Sequence, residues 1–351
     1  MTSKKNILIA PLNWGLGHAT RCIPIIYKLI ELDFNPIIAS DGEALQLLQK
    51  EFPKLKSLAL PSYNIKFPKN GNFLKWKLIL DTPRVLKTIK EEEIFIDKLI
   101  KSENITGIIS DNRFGVRSDE LPSVFITHQL NVLSGSTTFL SSKIHQRFIK
   151  KFDECWIPDV MTENSLAKKL SHSDKVKNQK YIGFLSRFKK RELEKKYDLL
   201  ILLSGIEPLR SQLENKLILE LKNYKGKVLF VRGVIEKEQK RTENSNITRC
   251  NYLLSEELEI AINQSDLVLA RSGYSTIMDL AVLSKKAFFI PTTGQSEQEY
   301  LAKRLRNLRI APYSSTNKFK IEMLDEVKKY VGFRENVSEV KAELFDLFKG
   351  E

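Results

Sequence analysis

Arg271-Ser-Gly-Tyr-Ser-Thr-Ile-Met-Asp279-Leu-Ala and, after it, Pro291-Thr-Thr-Gly-Gln-Ser-Glu-Gln298-Glu-Tyr decide how this chain is read. A short apolar run, Asp266 to Ala270, leads into Ser272-Gly273, and a helical pattern starts at once. A second run, Ala287 to Ile290, stops at Pro291 and opens into a polar loop before the next helix. Strand, glycine turn, helix, strand, polar loop and helix in succession describe an α/β sheet with a ligand edge at its carboxyl strand ends. The glycine lets the backbone approach an anion, and the helix start offers unpaired N–H groups to a phosphate. Asp279 falls two turns into that helix, where a carboxylate could take both hydroxyls of a ribose.

The same alternation extends in both directions. Towards the amino terminus, strands are expected at Asn6–Ala10, Pro36–Ser40, Leu55–Leu60, Ile105–Ser110, Ser123–Thr127, Glu154–Pro158 and Lys180–Gly183. Helices are expected between them at Ala19–Leu32, Glu43–Glu51, Pro83–Lys101, Gly135–Phe152 and Met161–Leu170. A charged stretch, Arg187 to Lys196, reads as a connection, and a second series of strands runs from Asp198 to Ile290. Its helices are expected near Leu209–Asn223, Ser255–Gln264, Ser275–Ser284 and Glu297–Leu308. The expectation is an α/β chain of two Rossmann-like domains, 1–186 and 187–351, each with a parallel sheet. A terminal helix over 337–350 would pack back on the first domain.

At 351 residues both domains are long enough to bury a core. The net charge of +14 points to anionic partners such as phosphorylated substrates, acidic lipid or nucleic acid. Cys22, Cys155 and Cys250 form no CxxC pair, which argues against a disulfide framework or zinc site and for a reducing cytoplasm. No secretion signal is legible, and no apolar run approaches the ~20 residues of a spanning helix. Residues 54–90 hold nine basic side chains against Asp81 alone, interleaved with Tyr63, Phe67, Phe73 and Trp76. Such a segment is either a solvated loop and helix with core aromatics or an attachment to an acidic membrane surface on the cytoplasmic side.

Strand Asn6–Ala10 runs into Gly15-Leu-Gly17-His18-Ala-Thr-Arg21. The spacing lacks the third glycine of a dinucleotide fingerprint, so a nicotinamide site is not indicated. His18 at the helix start is either a cap or a general base, since imidazole titrates near working pH. A base needs an orienting carboxylate, and Asp111, at the end of Ile105–Ser110, is the candidate; its other reading is a turn cap with Asn112 and Gly115. Arg113 and His128 follow strand ends on the same edge. In the second series Ser204, Gly205 and Arg210 either hold a diphosphate or form an ordinary strand-to-helix turn, and Arg232-Gly233 adjoins them.

These motifs resemble the GT-B glycosyltransferases of family 28, those that add N-acetylglucosamine to the lipid-linked peptidoglycan precursor included. The Arg271-Ser272-Gly273-x-x-Thr276-x-x-Asp279 and Pro291-x6-Gln298-x-Tyr300-x-Ala302 segments are similar to that family's nucleotide-sugar motif. The resemblance implies two domains facing a central cleft, with the donor held by the second. Asp279 then stands for the acidic residue on the ribose, and the loop carrying Gln295 and Gln298 meets the sugar. It also implies that Gly15, Gly17, Arg21, Arg113 and His128 line the acceptor side, with His18 as base and Asp111 as its orienter. Retaining relatives carry two glutamates eight apart; here the residue eight before Asp279 is Arg271, so inversion is expected, with no metal and no cofactor beyond the UDP-sugar donor.

Three functions are therefore carried forward. The first is an inverting transferase moving a sugar from UDP to a hydroxyl of a lipid-linked or membrane glycan. The second is a UDP-sugar 2-epimerase on the same fold, and the third a basic nucleic-acid-binding protein, for which no recognition motif is visible.

Overall fold

The computed structural model describes residues 4–64, 74–133, 138–334, 336 and 339–350, with backbone alone over 74–80. Two compact units emerge: one is built from Leu78–Leu185 with the residues before 66 and after 337, the other from Ser186–Val337. Each carries its own sheet, and the architecture is α/β, with two sheets of mostly parallel strands.

In the first unit β1 (Asn6–Pro11), β2 (Asn35–Ser40), β3 (Ser57–Ala59), β4 (Ile105–Asp111), β5 (Ser123–Ile126), β6 (Glu154–Ile157) and β7 (Gln179–Tyr181) stand in the order β3-β2-β1-β4-β5-β6-β7. All neighbours are parallel. Strands such as Ile7-Leu-Ile-Ala are buried on both faces because helices cover both, which is why they read as unbroken apolar runs. The helices are α1 (Gly17–Glu31), α2 (Gly42–Glu51), α3 (Leu74–Ser102) and α4 (Thr138–Ile149). Strand order reverses between β1 and β4: the connections from β1 travel to one side and those from β4 to the other. Such a switch point leaves a crevice at the carboxyl ends.

In the second unit β8 (Tyr197–Leu202), β9 (Val228–Val231), β10 (Arg241–Asn244), β11 (Ile247–Cys250), β12 (Ser265–Ala270) and β13 (Lys286–Phe289) stand in the order β10-β11-β9-β8-β12-β13. Its helices are α5 (Leu209–Glu220), α6 (Ser255–Asn263), α7 (Tyr274–Val282) and α8 (Ser296–Asn307). Here the switch point falls between β8 and β12. A core of Leu199, Ile201, Leu213, Phe230 and Phe288 holds the strands to α5.

Three expectations need correction. The second sheet is not wholly parallel: β10 pairs antiparallel with β11 through a turn at Ser245, whose φ is +56°. Its Arg-Thr-Glu-Asn is exposed throughout, so no apolar signal marked it. Met161–Leu170 is a run of turns, not a helix. Buried Asp159 accepts bonds from Ser165 Oγ, Ser171 Oγ and the backbone N–H of Leu166 and Ala167, and this gathering replaces a helical ladder. Over 337–350 the described helix is a 3₁₀ segment confined to Ala342–Phe348. Of the basic segment 54–90, residues 65–73 and the side chains of 74–80 lie outside the described residues, as do residues 135–137 of the expected fourth helix.

The 3₁₀ segment lies on the first sheet. Phe345 packs edge-on against Trp156 at 5.5 Å between ring centres, and Phe348 occupies the space a side chain at Gly107 would need. Phe348→Ala should therefore destabilise the first unit by about 3–5 kcal/mol. In a Trp76→Phe background the remaining tryptophans, Trp14 and Trp156, both lie in that unit, so urea unfolding followed by tryptophan fluorescence reads it; an unchanged midpoint would refute the packing role.

Candidate active site

At the first switch point Leu12 N–H donates to the Asp111 carbonyl at 2.9 Å, closing β1 onto β4 at their carboxyl ends. The chain then turns at Gly15, whose φ of +79° lies in the region glycine favours and whose missing side chain faces open space. Helix α1 begins at Gly17, with Leu16 at the cap position and no side-chain cap bond. The capping reading of His18 is thereby excluded. As the second helical residue it instead reaches across to β4.

His18 Nδ1 lies 2.8 Å from Asp111 Oδ1. The Asp111 carboxylate is fully buried, and Arg21, one helical turn beyond His18, grips it with both Nε and Nη2. Arg21 Nη1 donates to His128 Nδ1 at 3.0 Å, so that nitrogen of His128 is an acceptor. Sequence reasoning placed His18, Asp111, Arg113 and His128 on one edge; the structure joins three of them through Arg21 in one chain, His18–Asp111–Arg21–His128, and leaves Arg113 out. Burial would lift the Asp111 pKa, but Arg21 and His18 outweigh it and hold the carboxyl well below its usual range. Burial also pulls the His18 pKa below the ordinary histidine value; Asp111 opposes this, and Arg21 and His128 add to it. At neutral pH the imidazole is uncharged. If Nδ1–H is donated to Asp111, Nε2 is the basic atom of a ring that is 17% exposed; Arg21 Nη2 also faces Nδ1, at 2.9 Å.

Two acceptor-side assignments are corrected. The Arg21 guanidinium is 1% exposed and turned onto Asp111, so it supports the dyad instead of meeting an acceptor. Arg113 does not join the chain. Its Nε donates to the Pro11 carbonyl, Nη1 to the Pro61 carbonyl and Glu92 Oε1, and Nη2 to Asp41. Glu92 also receives Tyr63 Oη–H and the Gly115 N–H. Arg113 is therefore a brace that ties the ends of β1 and β2 to α3 from beneath.

In the second unit Ser204 and Gly205 follow β8, and Gly205, at φ +109°, faces open space. Gly233 lies so close to Leu203 and Ser204 that a Cβ there would meet the Leu203 carbonyl at 2.2 Å, so this loop is held against the end of β9. Across the switch point, Gly273 is the cap residue of α7 with nothing in front of it, and Thr276 is partly exposed in the first turn. An open helix start beside a glycine loop suits a phosphate.

Three donor-side arginine and serine readings change. Arg271 is 2% exposed; its Nη1 donates to the carbonyls of Ile290 and Pro291 and its Nη2 to that of Leu209. It stitches the ends of β12 and β13 to α5 and offers no fork to a ligand; burial brings its pKa down to about 10. Arg210 is turned onto Glu214 and Glu207, again a structural pairing. Ser272 Oγ donates to the Gln298 carbonyl, anchoring α8. Arg232 bonds Glu214 through Nε while its side chain stays 34% exposed, which leaves it the accessible cation at this edge. Gln298 is folded back: Oε1 accepts the Thr292 N–H and Nε2 faces Gln295 Oε1, so these glutamines shape the loop after Pro291.

With this geometry in place, the comparisons with known proteins can be set beside it. Residues 206–343 match the glycosyltransferase family 28 C-terminal domain. The UDP-N-acetylglucosamine–N-acetylmuramyl-(pentapeptide) pyrophosphoryl-undecaprenol N-acetylglucosamine transferase of Haemophilus ducreyi is 26% identical over 182 residues, which is 50% of this chain and 48% of that one. The protein of the same name from Clostridium tetani is 25% identical, covering 80% of this chain and 76% of that one. Among solved structures, the spinosyn rhamnosyltransferase SpnG superposes with a TM-score of 0.62 at 13% identity, over 98% of this chain and 96% of that one. The chain has the GT-B fold, and its second unit is similar to the family 28 C-terminal domain.

At these two edges three contributors escaped the sequence reading. Asn112, at φ +58°, places its Nδ2 3.1 Å from Asp111 Oδ1; an asparagine just past a strand is the only signal that hinted at it. Asn13 links the glycine loop to Asp41 and to the Ala44 N–H. Ser186 Oγ donates to Asp279 Oδ1 at 2.6 Å across 93 residues of sequence, and no local pattern could have shown it.

Asp279 is partly buried, and burial raises its pKa to about 6 against the pull of Arg187 and Ser186. A carboxyl raised in the folded state favours folding below its unfolded pKa, and that contribution is lost as pH climbs through about 6. Asp279→Asn should thus be more stable than the wild type at pH 7.5, by on the order of 2 kcal/mol, with the gap closing near pH 4. Thermal unfolding at the two pH values measures this, and equal differences at both would contradict it.

Proposed function

We propose that the enzyme is an inverting transferase that moves a sugar, N-acetylglucosamine foremost, from UDP to a hydroxyl of a lipid-linked or membrane glycan. The observation that carries the chemistry is the His18 Nδ1–Asp111 contact at 2.8 Å on the carboxyl edge of the first sheet. In the reaction His18 Nε2 takes the proton of the acceptor hydroxyl as its oxygen attacks the anomeric carbon. The bond from that carbon to the diphosphate breaks, UDP leaves with the electron pair, and the configuration inverts in one displacement. Asp111 holds the ring's tautomer and stabilises the imidazolium as it forms. On the donor side the α7 start with Gly273, the Ser204–Gly205 loop and Arg232 would take the charge of the departing diphosphate, with no metal required. Asp279, ionised above about pH 6, would accept the ribose hydroxyls. The uridine donor and N-acetylglucosamine rest on the names of the relatives from Haemophilus and Clostridium.

A membrane-borne acceptor accords with one face of the first unit. Val85 of α3 and Phe148 of α4 pack on one apolar cluster that includes Ile89. Leu86, Phe139, Leu140 and Ile144 are 45%, 70%, 59% and 50% exposed, and residues 138–152 carry Lys143, Arg147, Lys150 and Lys151 with no acidic side chain. Apolar groups ringed by ammonium and guanidinium groups match an acidic bilayer surface. No helix among the described residues is long and apolar enough to cross a membrane, so attachment would be at the surface.

His18→Ala should lower kcat for transfer from UDP-N-acetylglucosamine by about 10²–10⁴ while donor binding persists, as removal of a general base requires. Undiminished turnover would remove the base assignment. Ile144→Glu should weaken binding to phosphatidylglycerol vesicles at low salt, leaving turnover of a water-soluble acceptor unchanged; equal binding by both proteins would remove the membrane face.

A further inference from the structure

A histidine–aspartate dyad with a free aspartate is an ion pair in waiting: the carboxylate invites a proton onto the imidazole and thereby disarms the base. This site is built differently. Asp111 Oδ1 and Oδ2 are both gripped by the Arg21 fork, and Arg21 Nη2 lies 2.9 Å from His18 Nδ1. Guanidinium and carboxylate cancel, so a second cation on the imidazole would stand against Arg21 with little net negative charge to hold it. Arg21 is itself fixed from behind, since His128 Nδ1 accepts from Nη1 and the side chain is almost wholly buried. The charged and titratable groups facing His18 are Asp111 of β4, Arg21 of α1 and His128 beyond β5. Cys22, 3.7 Å from Asp111 Oδ2, is kept a neutral thiol by burial and by Asp111.

We propose that Arg21 is a positioning residue for sugar transfer: by neutralising and orienting Asp111 it keeps His18 uncharged into mildly acidic conditions. His128 completes the device by accepting from Arg21 and so fixing the fork's orientation. The inference rests on His18 being the base, and it adds that the dyad works only as part of a four-membered, charge-balanced chain. Its consequence is an enzyme whose base remains available at pH values where an unaccompanied histidine–aspartate pair would be protonated.

The test uses the full chain labelled with ¹³C-histidine. Its four histidines are assigned by single His→Gln variants, and His18 is titrated in the wild type, Arg21→Gln and Arg21→Lys. Removing the guanidinium frees Asp111 to attract the imidazolium and removes the opposing cation, so both effects push the His18 pKa up. Arg21→Gln is expected to raise it by about one unit or more and to move the acid limb of kcat/KM upward by the same amount. Arg21→Lys keeps the charge without the fork, so it should restore most of the pKa while kcat stays about tenfold low and donor KM is unchanged. Should Arg21→Gln fail to fold, the double variant Arg21→Gln/Asp111→Asn removes the ion pair as a unit. Burial still lowers His18 there, so the double variant is compared with Asp111→Asn, and its His18 pKa is expected to lie above that of Asp111→Asn because the opposing guanidinium is gone; equal values overturn the role of Arg21. A His18 pKa unmoved in every folded variant, or activity lost equally at all pH values, overturns the role given to Arg21. Full activity of His18→Ala instead overturns the base assignment and leaves the titration readable, so the two failures are distinct.

Discussion

One buried carboxylate organises the carboxyl edge of the first sheet. Asp111 ends the strand next to the switch point, fully enclosed, and an ion in that position is tolerable only if it is paired and its hydrogen-bonding capacity is met. Arg21, His18 and Asn112 meet that need from α1 and from the turn after β4. The cost of desolvating Asp111 thus dictates where the first turn of α1 must lie and which way its histidine faces. Removing Arg21 alone would strand a buried charge, a loss of about 3–5 kcal/mol in comparable pairs. Stability and chemistry at this edge depend on the same ion pair.

A similar logic recurs with different residues. Arg113 ties β1, β2 and α3 beneath the glycine loop, and Arg271 ties β12, β13 and α5 beneath the donor loop. Each is buried and spends its forked donors on carbonyls or carboxylates at strand ends. Loops at the carboxyl edge of a sheet expose unpaired backbone groups, and a planar guanidinium can satisfy several at once. The arginines most conspicuous in the sequence consequently hold the loops in shape, while Gly205 and Gly273 face open space and Arg232 stays partly exposed. Charged side chains beside a motif need not point at the ligand.

The fold was largely legible because both sheets are covered on both faces. Ile7-Leu-Ile-Ala, Ile108-Ile-Ser and Val268-Leu-Ala are buried runs, and the amphipathic stretches between them are helical. What escaped notice lacked an apolar signature: β10 is polar and exposed, and Met161–Leu170 yields its helical pattern to the bonds of Asp159. At the first edge, the positions of His18 and Asp111 were readable because Asp111 ends a strand and His18 opens the helix after the glycine loop; the resemblance to family 28 suggested their roles. The partition of arginines into braces and ligands was not readable, since it depends on partners such as Glu92, Glu214 and Leu209 that lie 18 to 62 residues away. The tie between Ser186 and Asp279 spans 93 residues and carries no local mark.

The claim on which the mechanism stands is that His18 carries its proton on Nδ1, towards Asp111, and presents a bare Nε2. The competing arrangement is real, because Arg21 Nη2 is also within 2.9 Å of Nδ1 and would donate to it if the proton sat on Nε2. Two-bond ¹⁵N–¹H correlation spectra of the histidine-labelled enzyme at pH 7.5 distinguish the two directly. The account predicts a protonated Nδ1 and an unprotonated Nε2 for His18. A proton on Nε2, or an imidazolium at that pH, would contradict it.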